Sequence, residues 1–327
     1  MKDFDYQRPD LEADAVRAGQ ISNARFIAGG TLLVDLLRLD VEQPDLLVDL
    51  NALPWNKIEL ANDAVRIGAL VRNSDLAEDP RIVSGFPALS QALLAGASPQ
   101  IRNMATLGGN LLQRTRCAYF RDVAVTACNK RKPGSGCAAI GGYSRMHAVL
   151  GVSDQCIAAH PSDMCVALLA LDAAVHTQGP HGERTIALAD FHALPGTHPE
   201  RESVLEQGEL VTGLWLPRTP FAARSAYVKA RDRASYAFAL ASAAAALELD
   251  GQTVRQARIA LGGVGSKPWR CPEVEQALLG KPATPESFQA ASALAMQEAK
   301  TTPDNQFKVE LARRVIARAL ERALGAT

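Results

Sequence analysis

The residues best equipped for chemistry are cysteines. Six occur: Cys117, Cys128, Cys137, Cys156 and Cys165 cluster in the middle of the chain, and Cys271 stands apart. Their spacing within the cluster is C-x10-C-x8-C-x18-C-x8-C, with no CxxC pair, so the pattern of a zinc ribbon is absent. In CNKRKPGSGC, no residue between Cys128 and Cys137 is apolar, so this stretch has nothing to pack. Four thiolates converging on a 4Fe–4S cluster would order it, because the chain between ligands can have any length that loops back. Arg114, Arg116, Arg121, Lys130, Arg131 and Lys132 would lower the thiol pKa values and offset the charge of such a centre. Free thiols are the competing reading, and spacing alone does not separate the two. Cys165, within the apolar run CVALLALDA, and Cys271 read as small buried hydrophobes. His147 and His160 have ligand chemistry, but a lone histidine is more often a surface or hydrogen-bonded residue.

Two Gly-Gly turns are the second chemical feature. FIAGGTLL and TLGGN each place Gly-Gly directly after an apolar segment. Consecutive glycines let backbone N–H groups approach a ligand and point the same way, which suits an anion. Two such turns suggest a two-sided clamp for a diphosphate. Neither is G-x-G-x-x-G nor a P-loop, and H-E-x-x-H and G-x-S-x-G are also absent. A chain that binds cofactors without a catalytic set reads as an electron carrier within a larger enzyme.

The elements that must position these features are α/β at the start. NARFIAGG is a strand ending in the first glycine turn. Thr31–Asp40 has helical spacing with Thr31 as N-cap, and DLLVDL is a second strand. ALPWNKIELANDAVRIGALV reads as strands with a turn at 61–63, and 86–98 as a helix. Residues 114–151 lose periodicity and read as an insertion; a loop this long needs a function or an ordering device. A helix and then a strand resume over 164–178. Pro217 and Pro220 mark a boundary near 220. After it come three strands (AYVKAR, AFALASAAAALEL, VRQARIALGGV) and then three helices (PEVEQALLG, PESFQAASALAMQEAK and 305–324), which is an α+β order.

The chain of 327 residues is 47% hydrophobic, enough for two or three cored domains. Thirty-five cationic and 35 anionic side chains cancel, so there is no whole-protein field for nucleic acid or an anionic membrane. No apolar h-region opens the sequence and no run of 18 apolar residues occurs, so neither a signal peptide nor a membrane span is expected.

FIAGGTLLVDLL, RNMATLGGNLLQ, HPSDMCVALLALDA, GELVTGLWLP and YVKARDRASYAFAL, in this order, resemble the FAD-binding subunit of the molybdenum-containing hydroxylases, the xanthine dehydrogenase and aldehyde oxidoreductase family. RTRCAYF, CNKRKPGSGCAAI and Cys156 resemble the branch of periplasmic aldehyde oxidoreductases, whose FAD subunit carries an extra 4Fe–4S cluster. The resemblance implies a p-cresol-methylhydroxylase-type FAD-binding fold over 1–220, with subdomains 1–53 and 54–220, the latter holding an iron–sulfur insertion at about 114–157. A C-terminal α/β domain, a three-stranded sheet with helices, would span 221–327. FAD would contact Phe26, Ile27, Ala28, Gly29, Gly30, Thr31, Leu32 and Leu33 at the first turn. Ala97, Thr106, Gly109, Asn110, Asp163, Val211 and Lys229 would complete the site. Cys117, Cys128, Cys137 and Cys156 would hold the cluster, and Cys165 has no ligand counterpart.

The implied role is electron transfer within a heterotrimer that oxidises aldehydes to carboxylic acids, with no catalytic residue in this chain. A large molybdenum-cofactor subunit would perform the oxidation. A small 2Fe–2S subunit would deliver electrons, and FAD would pass them to an external acceptor. The expected location is the periplasm, by co-export with a signal-bearing partner, with the cytoplasm as the alternative. The corresponding subunit of a 4-hydroxybenzoyl-CoA reductase-like enzyme is a rival within the family. A basic-loop metal- or nucleic-acid-binding module and a stand-alone flavoprotein oxidase with a zinc loop are rivals outside it.

Overall fold

A computed structural model describes residues 1–325, so the last two residues of the expected 221–327 unit lie outside the described residues. Three sheets succeed one another. The first is parallel, with β1 (Asp5–Gln7), β2 (Ala24–Ile27) and β3 (Leu46–Asp49) in the order β1-β3-β2. Parallel neighbours need crossovers, and the helices Glu12–Gly19 and Leu33–Arg38 supply them. Strand β3 reads LLVD because all four of its residues are buried.

The second sheet is antiparallel. It contains β4 (Ile58–Leu60), β5 (Ala64–Gly68), β6 (Ala174–Gly179), β7 (Gly182–Ala187) and β8 (Leu210–Pro217), in the order β4-β5-β8-β6-β7. Helices Pro87–Ala95 and Asp163–Ala170 pack in its core. Every residue of the second helix is buried, and Ser162 Oγ caps it by accepting from the Cys165 N–H at 3.1 Å.

The third sheet is β9 (Ser225–Ala230), β10 (Ala241–Asp250), β11 (Thr253–Gly262) and β12 (Trp269–Arg270), in the order β12-β11-β10-β9. Helices Pro272–Leu278, Pro285–Ser292 and Phe307–Leu324 pack with it. Strand β10 reads ASAAAALELD, small or apolar through Leu247, because both its faces are covered there. Ala244 joins the core of the middle unit, and Ala243 and Ala245 join that of the C-terminal helices. Small side chains let both layers approach closely. None of the helices is long and apolar enough to cross a membrane among the described residues.

Four expectations change. The C-terminal sheet has four strands, not three; Pro268 and Pro272 bracket the fourth and leave it two residues, too short for a periodic signal. The helix expected over 31–40 is Leu33–Arg38, with Leu32 at its N-cap and no side-chain cap from Thr31. Strand β1 and helix Glu12–Gly19 have no counterpart in the sequence reading, because the three-residue strand is exposed and carries no apolar alternation. PESFQAASALAMQEAK is helical only to Ser292. The 114–157 segment contains a single helical turn, Ala118–Arg121, and is otherwise irregular.

Candidate flavin cavity and cysteine cluster

The two glycine turns meet. A Cβ on Gly29 would overlap the Met104 carbonyl, so only glycine lets the first turn lie against the segment that leads into the second. Gly30 takes φ +70°, a left-handed conformation that suits glycine. On the other side, buried Thr106 accepts from the Gly109 N–H at 3.3 Å and starts the short helix Leu107–Leu111. Two residues that the sequence reading missed brace this contact. Asn51 Nδ2 donates to the Ala28 carbonyl at 3.0 Å, and Arg72 donates to the Met104 carbonyl and, at 3.5 Å, to Asn51. Both come from loops with no local signal, so only the assembled fold reveals them.

Phe26, Ile27, Ala28, Gly29, Gly30, Thr31, Leu32, Leu33, Thr106, Gly109 and Val211 line one cavity of about 290 Å³. Ala97, Asn110, Asp163 and Lys229 line a second of about 1030 Å³. Thr31, Leu32 and Gly109 face both, so the two cavities are continuous and all the candidate flavin residues share one groove. Its deep end carries a buried ion pair: Lys229 Nζ lies 2.7 Å from Asp163 Oδ2 and also donates to the Ala95 carbonyl. Tyr227, another residue the sequence reading missed, donates its hydroxyl to Asp163 Oδ1, and burial beside that carboxylate holds its pKa well above the ordinary value. Asp163 opens a helix, which favours its negative charge there. The groove is long, glycine-lined and mostly apolar at the smaller cavity, and charged at the larger one, where Asp163 and Lys229 form a buried ion pair. These are features a dinucleotide needs for its rings and its diphosphate.

The four candidate ligands also converge. Cys117, Cys128, Cys137 and Cys156 line one small cavity with Phe120, Lys130 and Ala139, and all four are free. Cys128 and Cys137 face each other as an antiparallel bridge, and Asn129 exchanges bonds with Gly136 through its N–H and its side-chain oxygen. A hydrogen bond with Cys156, together with the N–H groups of Ala139, Ile140 and Ile157, holds the Cys137 thiol below its ordinary pKa. The same bond and burial push Cys156 up, against the pull of Lys130. Burial raises Cys117 to about 11. His147 Nε2 lies 3.1 Å from Cys117 Sγ. Four thiols around one small cavity, with backbone N–H groups turned to Cys137 and Cys156, are a donor set of the kind that would suit an iron–sulfur centre.

The remaining residues separate cleanly. Cys165 and Cys271 lie in hydrophobic cores. His160 is not with the cluster; one of its ring nitrogens, Cys165 Sγ and a ring nitrogen of His192 lie within 4.8 Å of one another. The cations of CNKRKPGSGC differ from one another in a way composition hides. Lys130 is buried against Glu202 at 3.0 Å and the Pro199 carbonyl at 2.7 Å. Arg131 turns inward and donates to the carbonyls of Tyr119, Phe120, Asp122 and Val125. Of the three, only Lys132 is exposed.

Comparison with known proteins places this geometry. Residues 2–219 match the family of FAD binding domains in molybdopterin dehydrogenases, and residues 225–325 match the CO dehydrogenase flavoprotein C-terminal domain. The aldehyde oxidoreductase FAD-binding subunit PaoB of Escherichia coli K12 is 50% identical over 326 residues, which covers 99% of each chain. The carbon monoxide dehydrogenase medium chain of Hydrogenophaga pseudoflava is 27% identical over 98% of this chain and 96% of that one. A solved carbon monoxide dehydrogenase from that organism, lacking the Mo-pyranopterin moiety of its molybdenum cofactor, has a TM-score of 0.76 at 28% identity. It covers 99% of this chain and 98% of its own. With two glycine turns against one groove and family matches spanning both ends, the chain belongs to the FAD-binding subunits of the molybdenum-containing hydroxylases, a family of oxidoreductases.

Proposed function

We propose that this chain is the electron-transfer subunit, carrying FAD and a 4Fe–4S cluster, of a heterotrimeric enzyme that oxidises aldehydes to carboxylic acids. Its partners are a large molybdenum-cofactor subunit and a small 2Fe–2S subunit, and its electrons leave to an external acceptor. The aldehyde assignment draws on the full-length 50% identity to an aldehyde oxidoreductase subunit. One observation carries the cluster: four cysteines far apart in sequence line a single cavity. FAD when bound accepts two electrons and releases them singly or together, and the cluster exchanges one.

The chain's own residues bind, orient and exclude water. The glycine turns admit the diphosphate to backbone N–H groups. Asp163, fixed by Lys229 and Tyr227, presents an oriented carboxylate at the deep end. Phe120, packed with Leu36 and Cys128, shields the thiols from solvent on one side. The location is periplasmic, by export with a signal-bearing partner. Inward-turned Lys130 and Arg131 weigh against a basic-loop nucleic-acid module, since such a module needs its cations at the surface.

Replacing Cys128 with Ser tests the cluster. Iron in the purified complex should fall by about four per chain, with the flavin absorbance retained. Unchanged iron would remove the ligand assignment, and an aldehyde-reduced complex whose flavin stays oxidised would remove the electron-transfer role.

A further inference from the structure

The cysteine-rich segment touches the flavin groove as well as the thiol cavity. Arg116, just before Cys117, and Arg121, the last residue of the helical turn that follows it, both line the larger cavity near Thr31 and Leu32. They share one half-exposed carboxylate. Arg116 Nη1 is 3.6 Å from Asp35 Oδ2, and Arg121 Nη2 bonds to the same oxygen. Two cations against one carboxylate leave a positive charge without a partner. Arg116 Nε and Arg121 Nη1 are, moreover, buried with no acceptor. The other cations of the segment's buried side are satisfied: Arg114 by Glu42 and Glu202, Lys130 by Glu202, and Arg131 by four carbonyls. The exceptions are the two that line the larger cavity. A buried N–H without a partner is costly, so an acceptor bound in the adjoining cavity would be stabilised there, and the surplus charge favours an anion.

Its identity follows from position. Thr31 and Leu32 lie where the two cavities join. A dinucleotide that spans both cavities carries its diphosphate at its middle, at that junction. Arg116 is also held in place, its guanidinium 5.1 Å from the Phe238 ring centroid. We propose that Arg116 and Arg121 hold the FAD diphosphate, so that the cysteine-rich segment contributes to the flavin site. The proposal rests on FAD occupying this groove and is independent of the iron–sulfur assignment.

The test is rebinding of FAD and of riboflavin, which lacks phosphate, to the deflavinated complex. Arg116→Gln and Arg121→Gln should each raise the Kd for FAD by about tenfold, the double variant by more, and flatten its dependence on salt. Affinity for riboflavin should not move. Lysine at either position keeps the charge and should recover most of the loss, which separates charge from folding. A double Gln variant within twofold of wild type for FAD overturns the proposal. So does an equal loss for FAD and riboflavin, which would mean that the arginines only shape the wall. A shifted cluster potential with FAD affinity intact overturns it as well, since the arginines would then serve the thiolates. Gly29→Val is the separate control: if that complex keeps FAD, the dinucleotide lies elsewhere and the underlying site is wrong.

Discussion

The flavin groove and the cysteine cavity lie side by side yet are ordered in opposite ways. The groove is lined by ends of regular elements: β2 feeds the first turn, the second Gly-Gly opens the helix Leu107–Leu111, and Asp163 opens a helix whose every residue is buried. Backbone ladders and core packing fix these positions before any ligand arrives. The cysteine segment has one helical turn in more than forty residues. It is held by side chains reaching backbone: Arg131 on four carbonyls, Asn129 on Gln155 and Gly136, and Lys130 on Pro199. The lesson is that a segment with almost no regular structure can still be ordered, provided that its charged groups are spent on internal acceptors.

Four substitutions or conditions would break or sharpen that contrast. The largest effect is expected at Asp163→Asn. It leaves Lys229 buried without its counter-charge, a loss of about 3–5 kcal/mol that should appear as a lower Tm and reduced flavin content. If iron fell as far as flavin, the two regions would not be separately ordered. Arg131→Ala removes the donor from four carbonyls and should cost about 3 kcal/mol, confined to the cysteine segment. Hydrogen exchange should rise there, and iron should be lost while the flavin band remains.

The third lies on the regular side. Burial lowers the pKa of His192 from 6.5 to about 4, and its Nε2 donates to the Leu111 carbonyl. The unfolded chain takes up this proton near 6.5 and the folded one only near 4, so stability falls as pH drops between those values and is unaffected above them. The contribution is about 3 kcal/mol, and denaturant titrations at pH 7 and pH 4.5 should show His192→Gln losing less than wild type. The smallest effect belongs to Cys165→Ala. A core cysteine outside the cluster should cost about 1 kcal/mol and no iron, and iron loss would return Cys165 to the ligand set.

Much of this was legible locally. Gly-Gly after a strand announces a close approach, and Gly29 against Met104 is that approach. Cys128 and Cys137, fencing a polar, glycine-rich stretch, announce a local approach, and they line one cavity with Cys117 and Cys156. Strand β10 was legible because burial on both faces leaves a continuous apolar run. Less was legible where order comes from single long-range contacts. Tyr227 reaches Asp163 across 64 residues and Arg114 reaches Glu202 across 88, and no window of sequence contains both partners. Strand β12 failed for another reason: two residues cannot show a period.

By itself, the sequence determined the local chemistry: a first turn that must be glycine, two thiols fencing a stretch that cannot pack, and most of the order of strands and helices. These depend on residue type and near spacing. The tertiary structure alone decided the direction in which each charge points. Lys130, Arg131 and Lys132 are neighbours with the same charge, yet one is paired with a carboxylate, one gathers carbonyls and one meets water. A charge finds its counter-group through space, and only the folded chain sets which acceptors lie within reach.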